Sequence, residues 1–144
     1  MSKPRLEIRN ISRQFNECMA ADDVCLSLQS GQVTCLLGPS GCGKSTTLRI
    51  VAGVERQDSG EIHVDGVLVC DGTSSLPPEH RNIGMMFQDF ALFPHLSVLE
   101  NVAFGVRGSR SQRKLRAYKM LERVELTGYG AKMPHELSGG EQQR

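Results

Sequence analysis

Apolar and polar positions divide the chain into short segments. Leu6, Ile8 and Ile11 fall near a period of two, and Val24, Leu26 and Leu28 repeat it before the turn at Ser30-Gly31. Two half-buried strands are predicted there. Val33-Thr34-Cys35-Leu36-Leu37 is a nearly continuous apolar run ended by Gly38-Pro39, the pattern of a parallel strand buried on both faces. Lys44 to Ala52 reads as a helix with Leu48, Ile50 and Val51 toward the core and Gly53 at the C-terminal cap. Glu61 to Val64 and Val67 to Cys70 flank Asp65-Gly66, which predicts a hairpin with a two-residue turn. A loop rich in Ser and Pro follows, and Asn82 to Phe87 reads as a further strand leading to Gln88-Asp89.

The last third is helical. Ser97-Val98-Leu99-Glu100 is a capping box that starts a short helix reaching about Phe104. Arg107, Arg110, Arg113, Lys114, Arg116, Lys119 and Arg123 share the next segment with Leu115, Tyr118, Met120, Leu121 and Val124. Such a charge run is read first as a solvated helix face. Ser138 with Glu141 forms a second capping box. A helix of so few residues is marginal alone, so the chain is expected to be truncated there. Strand, loop and helix alternating with an antiparallel piece predict an α/β fold.

Composition narrows the partners. A chain of 144 residues with 39% hydrophobic content and a net charge of +1 fits one domain with a core. It lacks the basic excess that backbone phosphate binding produces, so no nucleic acid partner is expected. The five cysteines show no C-x-x-C pair or zinc spacing, which suits a reducing cytoplasm. The N-terminus has no continuous apolar core, and nothing approaches the ~20 apolar residues of a membrane span. Any membrane connection is expected to run through a partner.

The chemistry centres on Gly38-Pro39-Ser40-Gly41-Cys42-Gly43-Lys44-Ser45-Thr46. Gly38, Gly43, Lys44 and Ser45 satisfy G-x-x-x-x-G-K-[ST], with a predicted strand before and a helix after. Loop amides would hold the α- and β-phosphates, the Lys44 ammonium would reach the β- and γ-phosphates, and the Ser45 hydroxyl would ligate Mg²⁺. On this motif alone kinases, GTPases and ATPases all stay open. Cys42 lies in the anion cradle at a helix start, a setting that raises thiol reactivity. Phe15 is either packing or a flat platform for an adenine ring. His80 and His95 read as loop histidines, since nothing beside them forms a dyad or metal set. Ser138, Gly139 and Gly140 at a helix start offer a second set of anion-binding amides.

The P-loop, Gln88 after a predicted strand, and the octet Leu137-Ser138-Gly139-Gly140-Glu141-Gln142-Gln143-Arg144 together resemble the ATP-binding subunits of ABC transporters, over the whole chain. The resemblance implies a P-loop NTPase of the ABC nucleotide-binding type, incomplete here. Residues 1–96 would be the P-loop core and antiparallel β subdomain through the Gln88 loop, and 97–144 the helical subdomain ending in the signature motif. It implies that Gln88 reports the γ-phosphate and Mg²⁺, with Lys44 and Gln88 as catalytic groups and Ser45 and Gln88 on the metal. Phe15 would stack on adenine. Ser138, Gly139 and Gly140 would meet the γ-phosphate of ATP on a second copy's P-loop, in a two-fold sandwich. The family's Walker B strand, D-loop and switch histidine are not in the chain, so it is expected neither to close the family's sheet nor to hydrolyse ATP alone.

A finer resemblance lies in Leu76 to Gly105, which is similar to bacterial importers of the ferric-iron, polyamine, sulfate and maltose type. Ferric iron is the first expectation, from the LP-x-x-x-R loop and the spacing to Phe93-Pro94-His95-Leu96-Ser97-Val98. Polyamine, sulfate or sugar import, a non-transport ABC ATPase and an inactive nucleotide-binding fragment are the alternatives. The importer reading implies transmembrane permease subunits whose coupling helix docks near Phe93, Pro94, His95 and Leu96. It also implies a periplasmic binding protein acting indirectly and a peripheral position on the cytoplasmic face of the inner membrane.

Overall fold

A computed structural model describes residues 3–144. The chain divides between Met85 and Met86 into two compact units.

The first unit is built on strands β1 (Leu6–Phe15), β2 (Cys18–Leu28), β3 (Ser59–Val64) and β4 (Val67–Cys70), in the order β2-β1-β3-β4. Every pairing is antiparallel; Ile8 sits opposite Leu26 on one side and Ile62 on the other. The expected hairpin is present: Val64 pairs with Val67, and Asp65 and Gly66 have φ of 52° and 77°. Two successive left-handed residues match the right-handed twist of the strands they join.

β1 is kinked. Asn10 (φ 52°) and Asp23 (φ 48°) face each other where the register breaks, and Asn10 Nδ2 donates to Asp23 Oδ1 at 2.7 Å. Gly60 (φ 90°) lies against this bulge, so close that a Cβ would stand 2.3 Å from the Asn10 carbonyl oxygen.

Helix α1 (Lys44–Ala52) brings Ile50 and Val51 into a core with Ile8, Ile11, Ile62, Val64, Val69 and Cys70. The buried face is Thr47, Ile50 and Val51, spaced i, i+3, i+4. Leu48, expected inside, is 52% exposed because it projects about 100° round the helix from Thr47.

Two expected strands are not formed. Val33 to Leu37 is irregular, with Val33 91% and Leu37 90% exposed. Asn82 to Phe87 is irregular too, with Asn82 left-handed at φ 53° and Met86 86% exposed. A parallel strand takes its hydrogen bonds from a neighbouring ladder, and no described segment pairs with either run. Only the antiparallel layer of the expected α/β sheet is therefore assembled.

The second unit contains α2 (Val98–Ala103), α3 (Arg110–Arg123) and α4 (Gly139–Gln143), with a 3₁₀ turn at Pro134–Glu136. Val98, Leu121, Leu126 and Leu137 form its core. Each helix starts at a serine capping box: Ser97 with Glu100, Ser109 with Gln112, and Ser138 with Glu141. α3 buries only Ala117 and Leu121, while Leu115, Tyr118 and Met120 are exposed. Among the described residues, no helix is long and apolar enough to cross a membrane.

Gly60→Ala should lower stability by about 1–3 kcal/mol, because it forces a side chain into a left-handed φ and against the Asn10 carbonyl. Urea unfolding checks this; an unchanged midpoint would show that the bulge relaxes freely.

Candidate functional site

The loop between the exposed run and α1 is shaped by glycines. Gly41 and Gly43 have φ of 83° and 84°, conformations that a Cβ disfavours. At Gly43 a Cβ would stand 1.8 Å from the Ala20 carbonyl oxygen, so the loop's end is pressed onto β2. At Gly38 it would stand 2.7 Å from Cys42 Sγ. The Cys42 amide donates to the Pro39 carbonyl at 3.4 Å, and the Thr47 amide and hydroxyl donate to the Gly43 carbonyl at 2.8 and 3.0 Å.

Two features suit this loop to a polyphosphate. α1 starts at Gly43 without a side-chain cap and has no acidic residue in its first turn. Its first amides therefore keep their donors and the positive end of the helix dipole. The Lys44 ammonium folds back over the loop, donating to the Gly38 and Pro39 carbonyls at 2.8 and 2.6 Å and approaching Cys42 Sγ at 3.3 Å. Ser45 is exposed in the same turn and Thr46 is half-buried. The donor set fits a phosphate chain with an attached divalent cation.

Phe15 lies at the same end of the sheet. It pairs with Cys18, two residues from the Ala20 that touches Gly43. The ring is 40% exposed and carries the Arg13 guanidinium 4.5 Å from its centroid. Arg13 is anchored by ion pairs to Glu55 at 2.8 Å and Asp58 at 2.7 Å. The Gln14 amide, then Arg13, hold the Asp58 carboxyl below its ordinary range. Arg13 was not singled out by sequence, although its i, i+2 spacing to Phe15 on one strand face was the available signal.

Gln88 and the Ser138-Gly139-Gly140 run belong to the second unit. Gln88 is exposed in an irregular stretch in which Phe90 and Ala91 are left-handed. The Phe93 ring packs on Phe104 with centroids 4.4 Å apart, and Asn101 ties the turn by donating to the Phe93, Leu96 and Ser97 carbonyls. Asn101 also escaped the sequence reading, as a lone polar residue in a short helix carries no pattern.

At α4, Glu141 Oε2 accepts from the Ser138 amide and hydroxyl, both at 2.7 Å. The Ser138 hydroxyl, its amide and then Tyr129 lower the Glu141 carboxyl from 4.5 to about 2. Gly139 and Gly140 have open space where a Cβ would point, and neither has a positive φ. Their own chain does not require glycine at these positions.

Three comparisons bear on this arrangement. A family profile described as ABC transporter matches residues 21–144. The chain is 47% identical over 142 residues to the spermidine/putrescine import ATP-binding protein PotA of Nitrosomonas eutropha, covering 96% of this chain and 38% of that protein. It is 47% identical over 140 residues to the sulfate/thiosulfate import ATP-binding protein CysA of Gloeobacter violaceus, covering 95% and 40%. Among solved structures it is similar to a dimeric post-hydrolysis state of the ATP-binding cassette MJ0796 bound to ADP and Pi. That match has a TM-score of 0.82 and 32% identity, covering 96% of this chain and 65% of that one. The chain thus spans about 38% of the length of the first of these curated relatives.

The depressed Glu141 carboxyl ties the α4 cap to pH. A group whose pKa is lowered by folding adds stability above its unfolded value and loses it as protons return. Protection of the Ser138 and Glu141 amides from hydrogen exchange should therefore be constant above pH 4.5 and fall between pH 4.5 and about 2. Protection that is flat across that window would contradict the capping box. Alkylation of Cys42 should block nucleotide binding, and ATP should slow the labelling, as read by peptide mass spectrometry. Unchanged binding after confirmed Cys42 labelling would remove the thiol from the cradle.

Proposed function

The chain belongs to the ABC transporter family, and on that premise we propose that the intact protein is the MgATP-binding, ATP-hydrolysing subunit of a bacterial importer. The observation that carries the reading is the 38–46 loop: glycine pressed on β2, uncapped first-turn amides, and an ammonium folded over the loop carbonyls. In this reading residues 1–96 hold the phosphate-binding and antiparallel parts with the Gln88 loop, and 97–144 the helical part.

Each site residue then has a role. The 38–46 amides hold the phosphates, and Lys44 stabilises charge developing on the transferred phosphoryl group. Ser45 would hold Mg²⁺, which neutralises phosphate charge when bound. Phe15, backed by Arg13, offers its ring to adenine. Ser138, Gly139 and Gly140 serve the ATP of a second copy. Support comes from the two glycines themselves, which nothing in their own chain requires and which leave the start of α4 open to close approach. The dimeric state of the solved cassette supports the same assembly.

For cargo the reading moves from ferric iron, the first expectation, to a polyamine. The names of the relatives support that choice: spermidine/putrescine for PotA, and putrescine for the Escherichia coli PotG protein, 44% identical over 144 residues. Sulfate is the second reading, because the CysA relative is as similar as the first PotA. Permease subunits and a periplasmic binding protein would select the cargo, placing this subunit at the cytoplasmic face of the membrane.

The test uses the intact gene product. Lys44→Ala should cut ATP hydrolysis by at least about 10²-fold. Gly140→Val should suppress it while circular dichroism stays unchanged. Deletion of the gene should abolish uptake of labelled putrescine or spermidine and spare ferric iron uptake. Full hydrolysis by Lys44→Ala would overturn the role given to Lys44 and the 38–46 loop; no hydrolysis by the intact wild type would overturn the ATPase reading; loss of iron uptake alone would return the cargo to iron.

A further inference from the structure

Arg81 heads the largest fully buried side chains, at 1% exposure, and all its side-chain partners are neutral oxygens. Nε donates to the Leu76 carbonyl at 2.7 Å, Nη1 to the Ile50 and Val51 carbonyls at 2.7 and 3.1 Å, and Nη2 to Ser75 Oγ at 2.7 Å. Withdrawing a guanidinium from water is costly, and volume alone could be filled by an apolar side chain. The fork geometry is what the site uses.

Two of the acceptors lie in the last turn of α1, where carbonyls lack the i+4 amide of a continuing helix and the negative end of the peptide dipoles gathers. Arg81 therefore places a positive charge at the far end of the same nine-residue helix that starts with Lys44 and Ser45. The fit is tight enough to demand glycine at the cap. Gly53 (φ 82°) donates its amide to the Ile50 carbonyl at 3.0 Å, and a Cβ on it would stand 2.7 Å from Arg81 Nε. The remaining acceptors, Ser75 and Leu76, tie α1 to the loop that follows β4.

We propose that Arg81 is a positioning residue for the nucleotide site: by clamping the C-terminal carbonyls of α1 to the 75–76 segment, it sets where the Lys44 end of that helix stands against the phosphates. A short helix moves as a rigid rod, so displacement at one end reaches the other. Gly43, in contact with the Ala20 carbonyl, fixes the opposite end and leaves the clamp to set tilt and rotation. The inference rests on reading residues 38–46 as a nucleotide site.

The experiment measures the Kd of a fluorescent ATP analogue, with EDTA to stop hydrolysis, on the intact protein. Wild type, Arg81→Lys, Arg81→Ala, Ser75→Ala and Gly60→Ala are compared at a temperature where circular dichroism shows each folded. Arg81→Lys keeps the charge but loses the fork and should weaken binding about tenfold, with Ser75→Ala intermediate. Gly60→Ala, destabilised at the β1 bulge with Arg81 and its acceptors unchanged, should bind as wild type does. Arg81→Ala should regain affinity when millimolar guanidinium ion is added. Wild-type affinity in folded Arg81→Lys and Ser75→Ala, or equal weakening in Gly60→Ala, would overturn the positioning role and leave Arg81 a stability residue. Absence of nucleotide binding by wild type would overturn the reading of the loop itself, and the inference with it.

Discussion

The first unit depends on a helix held at both ends by approaches that only glycine permits. At its start Gly43 sits against the Ala20 carbonyl of β2, and at its end Gly53 sits against the Arg81 guanidinium. Between them Ile50 and Val51 enter the core of the antiparallel sheet. Hydrophobic burial fastens the helix to the sheet, but burial is non-directional. The glycine contacts and the Arg81 fork supply direction, and the 38–46 loop inherits its place from them.

The same unit leaves apolar chain unused. Val33 and Leu37 are almost fully exposed, although their run has the composition of a strand covered on both faces. A sheet of order β2-β1-β3-β4 satisfies its own members and offers these residues no ladder. Exposed apolar runs of this kind invite pairing with other chain.

In the second unit, local hydrogen bonding does much of the work. Three serine boxes start three helices, and Asn101 fixes the turn before α2 through carbonyls on either side. Most cations of α3 are exposed, but Arg113 is half-buried and donates from Nε and Nη2 to the Ala103 carbonyl. At α4 the box orders the backbone while Gly139 and Gly140 leave its outer surface bare. Order without covering side chains is the condition a close backbone contact with another molecule needs.

By itself the sequence determined whatever depends on near neighbours. The α1 limits, the Asp65-Gly66 turn, the boxes at Ser97 and Ser138 and the P-loop motif were all legible, because turn geometry, capping and backbone amide display are settled within a few residues. Tertiary structure alone decided the rest. Periodicity placed Leu48 inside, but the sheet accepted the Thr47-Ile50-Val51 face and turned Leu48 out. Composition made Val33 to Leu37 a strand, yet a strand exists only where another supplies its hydrogen bonds. Arg81 was legible only as one letter of a loop motif. Its role arises because folding brings it to the Ile50 and Val51 carbonyls, some thirty residues away in sequence, a distance at which no local pattern carries information.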